Sequence, residues 1–165
     1  MNKLTVERLK ELAIYDPETG VFVRCCIGGR HRNLQPGTAL GTVNRKLGYV
    51  MTTIDKQPVY MHRLAYLYMT GEWPAGEIDH INGNRTDNRW TNLRVVSRTT
   101  NMENLRGATG HSKSGVLGVS EKRGKWSARI KVQRKQLSLG TYETAQLAHE
   151  AYLCAKRRLH SGCTI

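Results

Sequence analysis

Asp79 and His80 stand side by side in EIDHINGNRTDNRWTNLRVVSRTTNMEN (residues 77–104), a stretch with six asparagines and no sustained apolar run. A carboxylate and neutral amide oxygens are hard donors that suit Mg²⁺, which leaves coordination positions open for phosphate and water. An imidazole that is neutral near pH 7 can take a proton from an attacking water. Together these groups suit phosphodiester hydrolysis, where water must be activated and the charge on the leaving oxygen neutralised. Adjacent side chains on an extended segment diverge, so Asp79 could face a metal while His80 reaches the opposite side of a scissile phosphate. A further asparagine can bond the backbone or the ring and so fix the imidazole. Asparagine also has an ordinary use in loops, through left-handed backbone geometry and local hydrogen bonds; Asn82, Asn84 and Asn88 in NGNRTDN are assigned to it.

The flanking segments must position these groups. LTVERLKELAIY sets Leu4, Leu9, Leu12 and Ala13 near helical spacing, which predicts a short leading helix stopped by DPETG. Between residues 21 and 60, GVFVRC, ALGTVN, GYVMTTI and QPVYM are β-rich runs separated by turn formers, the pattern of an antiparallel meander. In MHRLAYLYMTGEW, Leu64, Ala65, Leu67 and Tyr68 follow a helical pattern that ends at Gly71 and Pro74. LRGATGHSKSG, after Asn104, is small, polar and basic and is read as a linker. Three alternating strands with tight Arg-Gly-Lys and Gln-Arg-Lys turns follow, then an amphipathic helix. Ala145, Ala148, Ala151, Tyr152, Ala155 and Leu159 share one face of that helix, with Thr144 as N-cap. Lys156, Arg157 and Arg158 occupy its last turns, where the dipole favours cations. Trp73, Trp90 and Trp126 are expected to anchor cores.

The 26 Lys and Arg against 13 Asp and Glu give a net charge of +13. That excess is spread along the chain and points to a polyanionic partner, nucleic acid before all others. Cys25, Cys26, Cys154 and Cys163 lack the paired spacing of a zinc site and are expected to be reduced thiols. The first twenty residues are too charged for a secretory signal and no apolar run is long enough for a membrane span, so a cytoplasmic protein with no membrane partner is expected.

Residues 60 to 105, from HRLAYLYMTGEWP through EIDHINGNRTDNRWTNLRVVSRTTNMEN, resemble the H-N-H homing endonucleases of the ββα-metal (His-Me finger) type, in the branch common in bacteriophage genomes. The resemblance implies a β-hairpin followed by a helix, with Asp79 as metal ligand, His80 as general base, Asn92 as the residue that orients base and loop, and Asn101 as second metal ligand. It gives Asn104 a supporting role on the helix. Asn stands where the family's third letter is histidine, which favours Mg²⁺ or Mn²⁺ over zinc. His62 and Arg63 match a His-Arg pair frequent in the family; His62 is read as a packing or capping residue as readily as Arg63 is read as a phosphate contact. His31, His111, His149 and His160 have no acidic or amide neighbour at ligand spacing and are assigned to solvent or the DNA backbone.

Residues 114 to 161 resemble the APETALA or ethylene-response-factor DNA-binding domain, through GVLGVSEKRGKWSARIKV and LSLGTYETAQLAHEAYLCAKRRLHSG. The resemblance implies three antiparallel strands in the major groove, backed by the helix. Alternation puts Arg129 and Lys131 opposite Ala128 and Ile130, while Lys122, Arg123, Lys125, Arg134 and Lys135 lie on strands and turns within reach of phosphates. Residues 111–165 hold eleven Lys and Arg against three Glu. Ser120 stands where the plant family has an arginine, so base specificity does not transfer.

The predicted fold class is α+β: a ββα-metal nuclease core preceded by a small β-rich region, plus a three-stranded antiparallel sheet packed on one helix. The predicted divisions are 1–60 (helix and β-rich region packed with the nuclease), 61–106 (nuclease core), 107–114 (linker) and 115–162 (DNA-binding module). The function expected is a metal-dependent homing-type endonuclease on double-stranded DNA that needs no small-molecule cofactor. One site per chain cuts one strand, so a double-strand break calls for a homodimer or repositioning. The alternative is a sequence-specific DNA-binding regulator with a vestigial nuclease motif.

Overall fold

The structure is a computed structural model, described for residues 4–25, 35–108 and 112–165. His31 and His111, part of the proposed linker and Cys26 lie outside the described residues. The chain divides into two compact units, Met1–Val96 and Ser97–Ile165. Both mix helices with small sheets, and the described residues form four helices and four sheets. The boundary at Val96 falls inside the stretch 61–106, so the segment read as one nuclease core contributes to both units.

In the first unit, α1 (Val6–Leu12) starts at Thr5, whose Oγ1 accepts from Arg8 N at 3.3 Å. The helix is shorter than its sequence pattern predicts. Ala13–Asp16 form strand β1, which pairs antiparallel with β2 (Val21–Arg24). Ala13, Tyr15 and Phe22 are buried on one side of this hairpin, so strand alternation wins over helical spacing there. DPETG is therefore the hairpin turn and not a helix stop. Asp16 Oδ1 accepts from Glu18 N at 2.9 Å and Oδ2 from Thr19 Oγ1 at 2.7 Å.

β3 (Thr42–Val43), β4 (Val50–Ile54) and β5 (Gln57–Tyr60) make a separate three-stranded sheet, so the β-rich region is two sheets and not one meander. β5 runs directly into α2 (Met61–Thr70), which ends at Gly71 with φ +80°. β6 (Glu77–His80) pairs with β7 (Leu93–Val96). One core joins these pieces: Leu9, Tyr15, Phe22, Met61, Leu64, Leu67, Ile78 and Leu93 are all buried in it. The Tyr15 and Phe22 rings lie 4.6 Å apart.

The β6–β7 loop rests on the β1–β2 hairpin. Tyr15 Oη donates to Asn88 O at 2.6 Å and Trp90 N donates to Pro17 O at 3.0 Å. Gly20, at φ +74°, passes so close that a Cβ there would stand 2.4 Å from Arg89 N.

In the second unit, α3 (Arg98–Glu103) is capped by Ser97, whose Oγ accepts from Thr100 N. β8 (Val119–Lys122), β9 (Lys125–Val132) and β10 (Lys135–Tyr142) form a sheet with β9 central, and α4 (Ala145–Leu159) packs on it. Both hairpins use two-residue turns with positive φ, at Arg123–Gly124 and Gln133–Arg134. Thr144 caps α4, and Ala128 and Ala148 are wholly buried between sheet and helix. Gly118 leaves room for Tyr152, whose ring a Cβ there would overlap at 2.0 Å. Leu159, placed by its spacing on the buried face, is exposed, while Lys156 is 1 % exposed. The Lys156 ammonium reaches the carbonyl of Leu105, which satisfies a charge that burial makes costly.

Gly20→Ala is expected to destabilise the first unit by at least about 1 kcal/mol, since it combines left-handed strain with a backbone clash. Denaturant unfolding of the full chain measures this; an unchanged midpoint would show that the hairpin does not seat the loop.

Candidate active site

β6 and β7 set the two reactive side chains. Asp79 lies opposite Arg94 in the register and His80 opposite Leu93. The Asp79 carboxylate is 6 % exposed, and its Oδ2 accepts from Arg94 Nε at 2.9 Å and Nη2 at 2.8 Å. Two charge-assisted bonds to one oxygen pair the buried carboxylate's charge and hold Oδ2 in place. Arg94 went unnoticed in the sequence, although its place opposite Asp79 follows once the hairpin register is known.

His80 is 3 % exposed and its Nε2 lies 3.2 Å from Asn88 Oδ1. Burial pushes the His80 pKa below the ordinary histidine value, against the Asn88 hydrogen bond and the charges of Asp79 and Asp87, which favour the cation. Its ring also meets His62 at 5.2 Å, nearly perpendicular, and Tyr49 at 5.8 Å. His62 is itself packed at 5.3 Å from Tyr60 and 5.2 Å from Tyr49, and its buried Nδ1 has no hydrogen-bond partner among the described residues. Desolvation, with the neighbouring His80 and Arg63, lowers the His62 pKa to about 3. The packing side of the sequence reading describes His62. Arg63 lies with its guanidinium 5.8 Å over the Trp73 ring.

The asparagines of the loop divide by what their side chains reach. Asn82 Oδ1 accepts from Asn84 N at 2.8 Å, and Asn84 Oδ1 from Thr86 N at 3.1 Å, two successive local turns. Gly83 supplies the left-handed residue between them, at φ +74°. Asn92 bridges the loop, accepting from Asn82 N at 2.9 Å and donating to Asp87 O at 2.8 Å. Asp87 holds Arg89 through both its oxygens, which lowers its pKa to about 2. Asn88 differs from its sequence reading as a turn former. It is 4 % exposed and its side chain is spent on His80 and, through Nδ2, on Thr86 O at 3.4 Å.

Asn101 stands in the second unit on α3, half-buried. That helix is held by the end of the chain. Glu103 accepts from Gly162 N at 3.0 Å and Ser161 Oγ at 3.3 Å, and Asn104 Oδ1 accepts from Thr164 Oγ1 at 2.5 Å. Arg106 reaches Thr164 O at 3.1 Å. Asn104 is thus a tether for the helix, 4 % exposed.

On the sheet of this unit Ala128 and Ile130 are buried, while Arg129 and Lys131 are exposed on the opposite face beside Ser138 and Gln136 of β10. Lys122, Arg123, Arg134 and Lys135 are exposed at the strand ends and turns; Lys125 is exposed too and pairs with Glu143 at 2.9 Å. The cross-strand pairs Ser120–Ser127 and Ser127–Thr141 share the face of Arg129. It is a polar donor-rich surface with no apolar residue among these positions. His149 and His160 are half-buried, and their rings contact Leu117 O at 3.0 Å and Lys131 O at 2.9 Å, where they tie α4 and its C-cap to the rest of the unit.

No group of three His, Cys, Asp or Glu side chains that could hold a metal occurs among the described residues. The buried carboxylate of Asp79 is a hard oxygen donor of the kind that suits Mg²⁺ or Mn²⁺, unlike the nitrogen and sulfur of a zinc centre. No helix among the described residues is long and apolar enough to cross a membrane.

His62 stays neutral to about pH 3 in the folded chain and protonates near 6.5 when unfolded. The unfolded chain therefore binds the proton first. Stability present above about pH 6.5 should be lost as the pH falls toward 3, by up to about 1.4 kcal/mol per pH unit. Denaturant midpoints between pH 7 and 4 are expected to fall less steeply for His62→Phe than for wild type; parallel slopes would show that His62 does not carry this dependence.

No curated protein and no solved structure matches the chain. Residues 59–103, the span that carries His62, Asp79, His80, Asn88, Asn92 and Asn101, match the family model described as HNH endonuclease, which supports a nuclease acting on DNA.

Proposed function

We propose that the protein is a metal-dependent DNA endonuclease of homing type, targeted by the basic sheet of its second unit. The observation that carries this reading is the Asp79–His80 pair, buried on a paired strand within the segment that matches the HNH endonuclease model. His80, kept neutral by burial, takes the proton of the attacking water. Arg94 holds the Asp79 carboxylate in place, and Asn92 keeps the loop after His80 folded. The resemblance to the HNH endonucleases makes Asp79 and Asn101 the residues that would ligate Mg²⁺ or Mn²⁺, which when bound would stabilise charge on the leaving 3′ oxygen. The product keeps a 5′ phosphate.

In the second unit, Arg129 and Lys131 face out from the central strand, with Lys122, Arg123, Lys125, Arg134 and Lys135 around them. This favours a sheet laid against double-stranded DNA, with long side chains toward base edges and the turns toward phosphates. A homodimer is one arrangement that would cut both strands. We place the divisions of function at 61–106 for cleavage and 115–162 for targeting, joined by 107–114, in a cytoplasmic, phage-type protein.

Incubation of wild type and His80→Ala with plasmid or phage DNA and Mg²⁺ tests the reading. Wild type should cut, and the variant should bind equally but cut at least about a hundredfold more slowly. Binding by wild type without any cleavage would sink the nuclease and leave a DNA-binding regulator.

For targeting, single substitutions are preferable to removal of the unit, because Lys156 and residues 161–164 hold α3. Arg129→Ala and Lys131→Ala are each expected to weaken DNA binding, while Arg134→Ala, on a turn toward phosphate, should also flatten the salt dependence by about one. Unchanged affinity in all three, with an unchanged slope in Arg134→Ala, would remove the sheet from the interface.

A further inference from the structure

We propose that Asn88 is the positioning residue for His80, fixing its tautomer so that the basic lone pair sits on Nδ1; the inference rests on the reading of His80 as the general base. The Asn88 amide is oriented by its own bonds. Its Nδ2 lies 3.4 Å from the Thr86 carbonyl, which can only accept, so Oδ1 is the atom turned to His80 Nε2 at 3.2 Å. An amide oxygen can only accept as well. Nε2 therefore carries the hydrogen, and in the neutral ring the remaining lone pair belongs to Nδ1.

The backbone of Asn88 is equally constrained. Tyr15 Oη, on a buried side chain, donates to its carbonyl at 2.6 Å, and Gly20 packs beneath it with no space for a Cβ. The amide is thus anchored through its main chain to the β1–β2 hairpin and delivers that rigidity to the imidazole. His62 closes another side of the ring, perpendicular at 5.2 Å. Asn92 serves differently: its two side-chain bonds go to the backbone of Asn82 and Asp87. Base orientation and loop bracing are divided between two asparagines.

The test joins long-range ¹H–¹⁵N correlation of the histidine rings in the full-length, metal-free protein above neutral pH with steady-state cleavage. The His80 signals are identified by their loss in His80→Ala. Wild type should show His80 as the Nε2–H form alone. Asn88→Leu should give a mixture of tautomers and lower kcat by about tenfold or more at unchanged KM for DNA. Asn88→Asp, which keeps an acceptor at the site, should retain the Nε2–H form. An Nδ1–H ring in wild type overturns the proposal, whether or not any variant folds. So does Asn88→Leu with both tautomer and kcat unchanged. Should wild type fail to cut DNA, the nuclease reading falls, while the ring spectra still decide the placement of the proton.

Discussion

A buried neutral imidazole has one N–H to satisfy and one lone pair to present, and both must be settled by what surrounds it. In this chain His80 Nε2 faces the amide oxygen of Asn88, and the first unit is organised around holding that amide still. The hairpin of β1 and β2 is remote in sequence from the reactive pair, yet Tyr15, Pro17 and Gly20 are the residues against which the loop is seated. Tyr15 reaches Asn88 from the same core that contains Ile78 and Leu93 of the reactive hairpin. Packing of the apolar cluster and placement of the base are therefore one problem. A loose core would leave the amide without a fixed position, and the imidazole without a fixed proton.

The loop itself is built from polar groups that bond one another, because residues 81–89, between β6 and a single 3-10 turn at Trp90–Asn92, belong to no sheet or helix that would satisfy them. Asn82 and Asn84 close local turns, Asn92 spans the loop, and Asp87 gathers Arg89. Each amide side chain offers a donor and an acceptor at once, which lets a short loop fill its own hydrogen-bonding needs without adding charge. The second unit solves a related problem at the chain end. α3 spans only Arg98–Glu103, too short to stand on propensity, and it is held by Ser97 at its start and by contacts from residues 156, 161, 162 and 164 at its end.

Much of this was legible in the sequence wherever a period or a turn chemistry was strong. The three strands and final helix of the second unit, the helix at Met61–Thr70 and the adjacency of Asp79 and His80 all follow from local pattern. The limits came from tertiary effects. AIY continues the helical spacing of Leu12 and Ala13, but pairing with VFVR decides its state. Lys156 sits where the helix dipole favours a cation, but its burial becomes tolerable through the carbonyl of Leu105, 51 residues away. Asn88 was indistinguishable from Asn82 and Asn84 by type and spacing. What sets it apart is a tyrosine 73 residues earlier in the chain, a long-range partner that loop composition does not reveal.

The choice of an amide at position 88 is itself informative. A carboxylate there would also accept from Nε2, but its charge would favour the imidazolium and add to the pull already exerted by Asp79 and Asp87. Burial acts in the other direction and keeps the ring neutral. A neutral acceptor favours the cation only through its hydrogen bond and adds no charge beside the ring, so burial still prevails. The excess of asparagine around Asp79 and His80 is in this respect an electrostatic device: the loop gains its hydrogen bonds while the base keeps its lone pair.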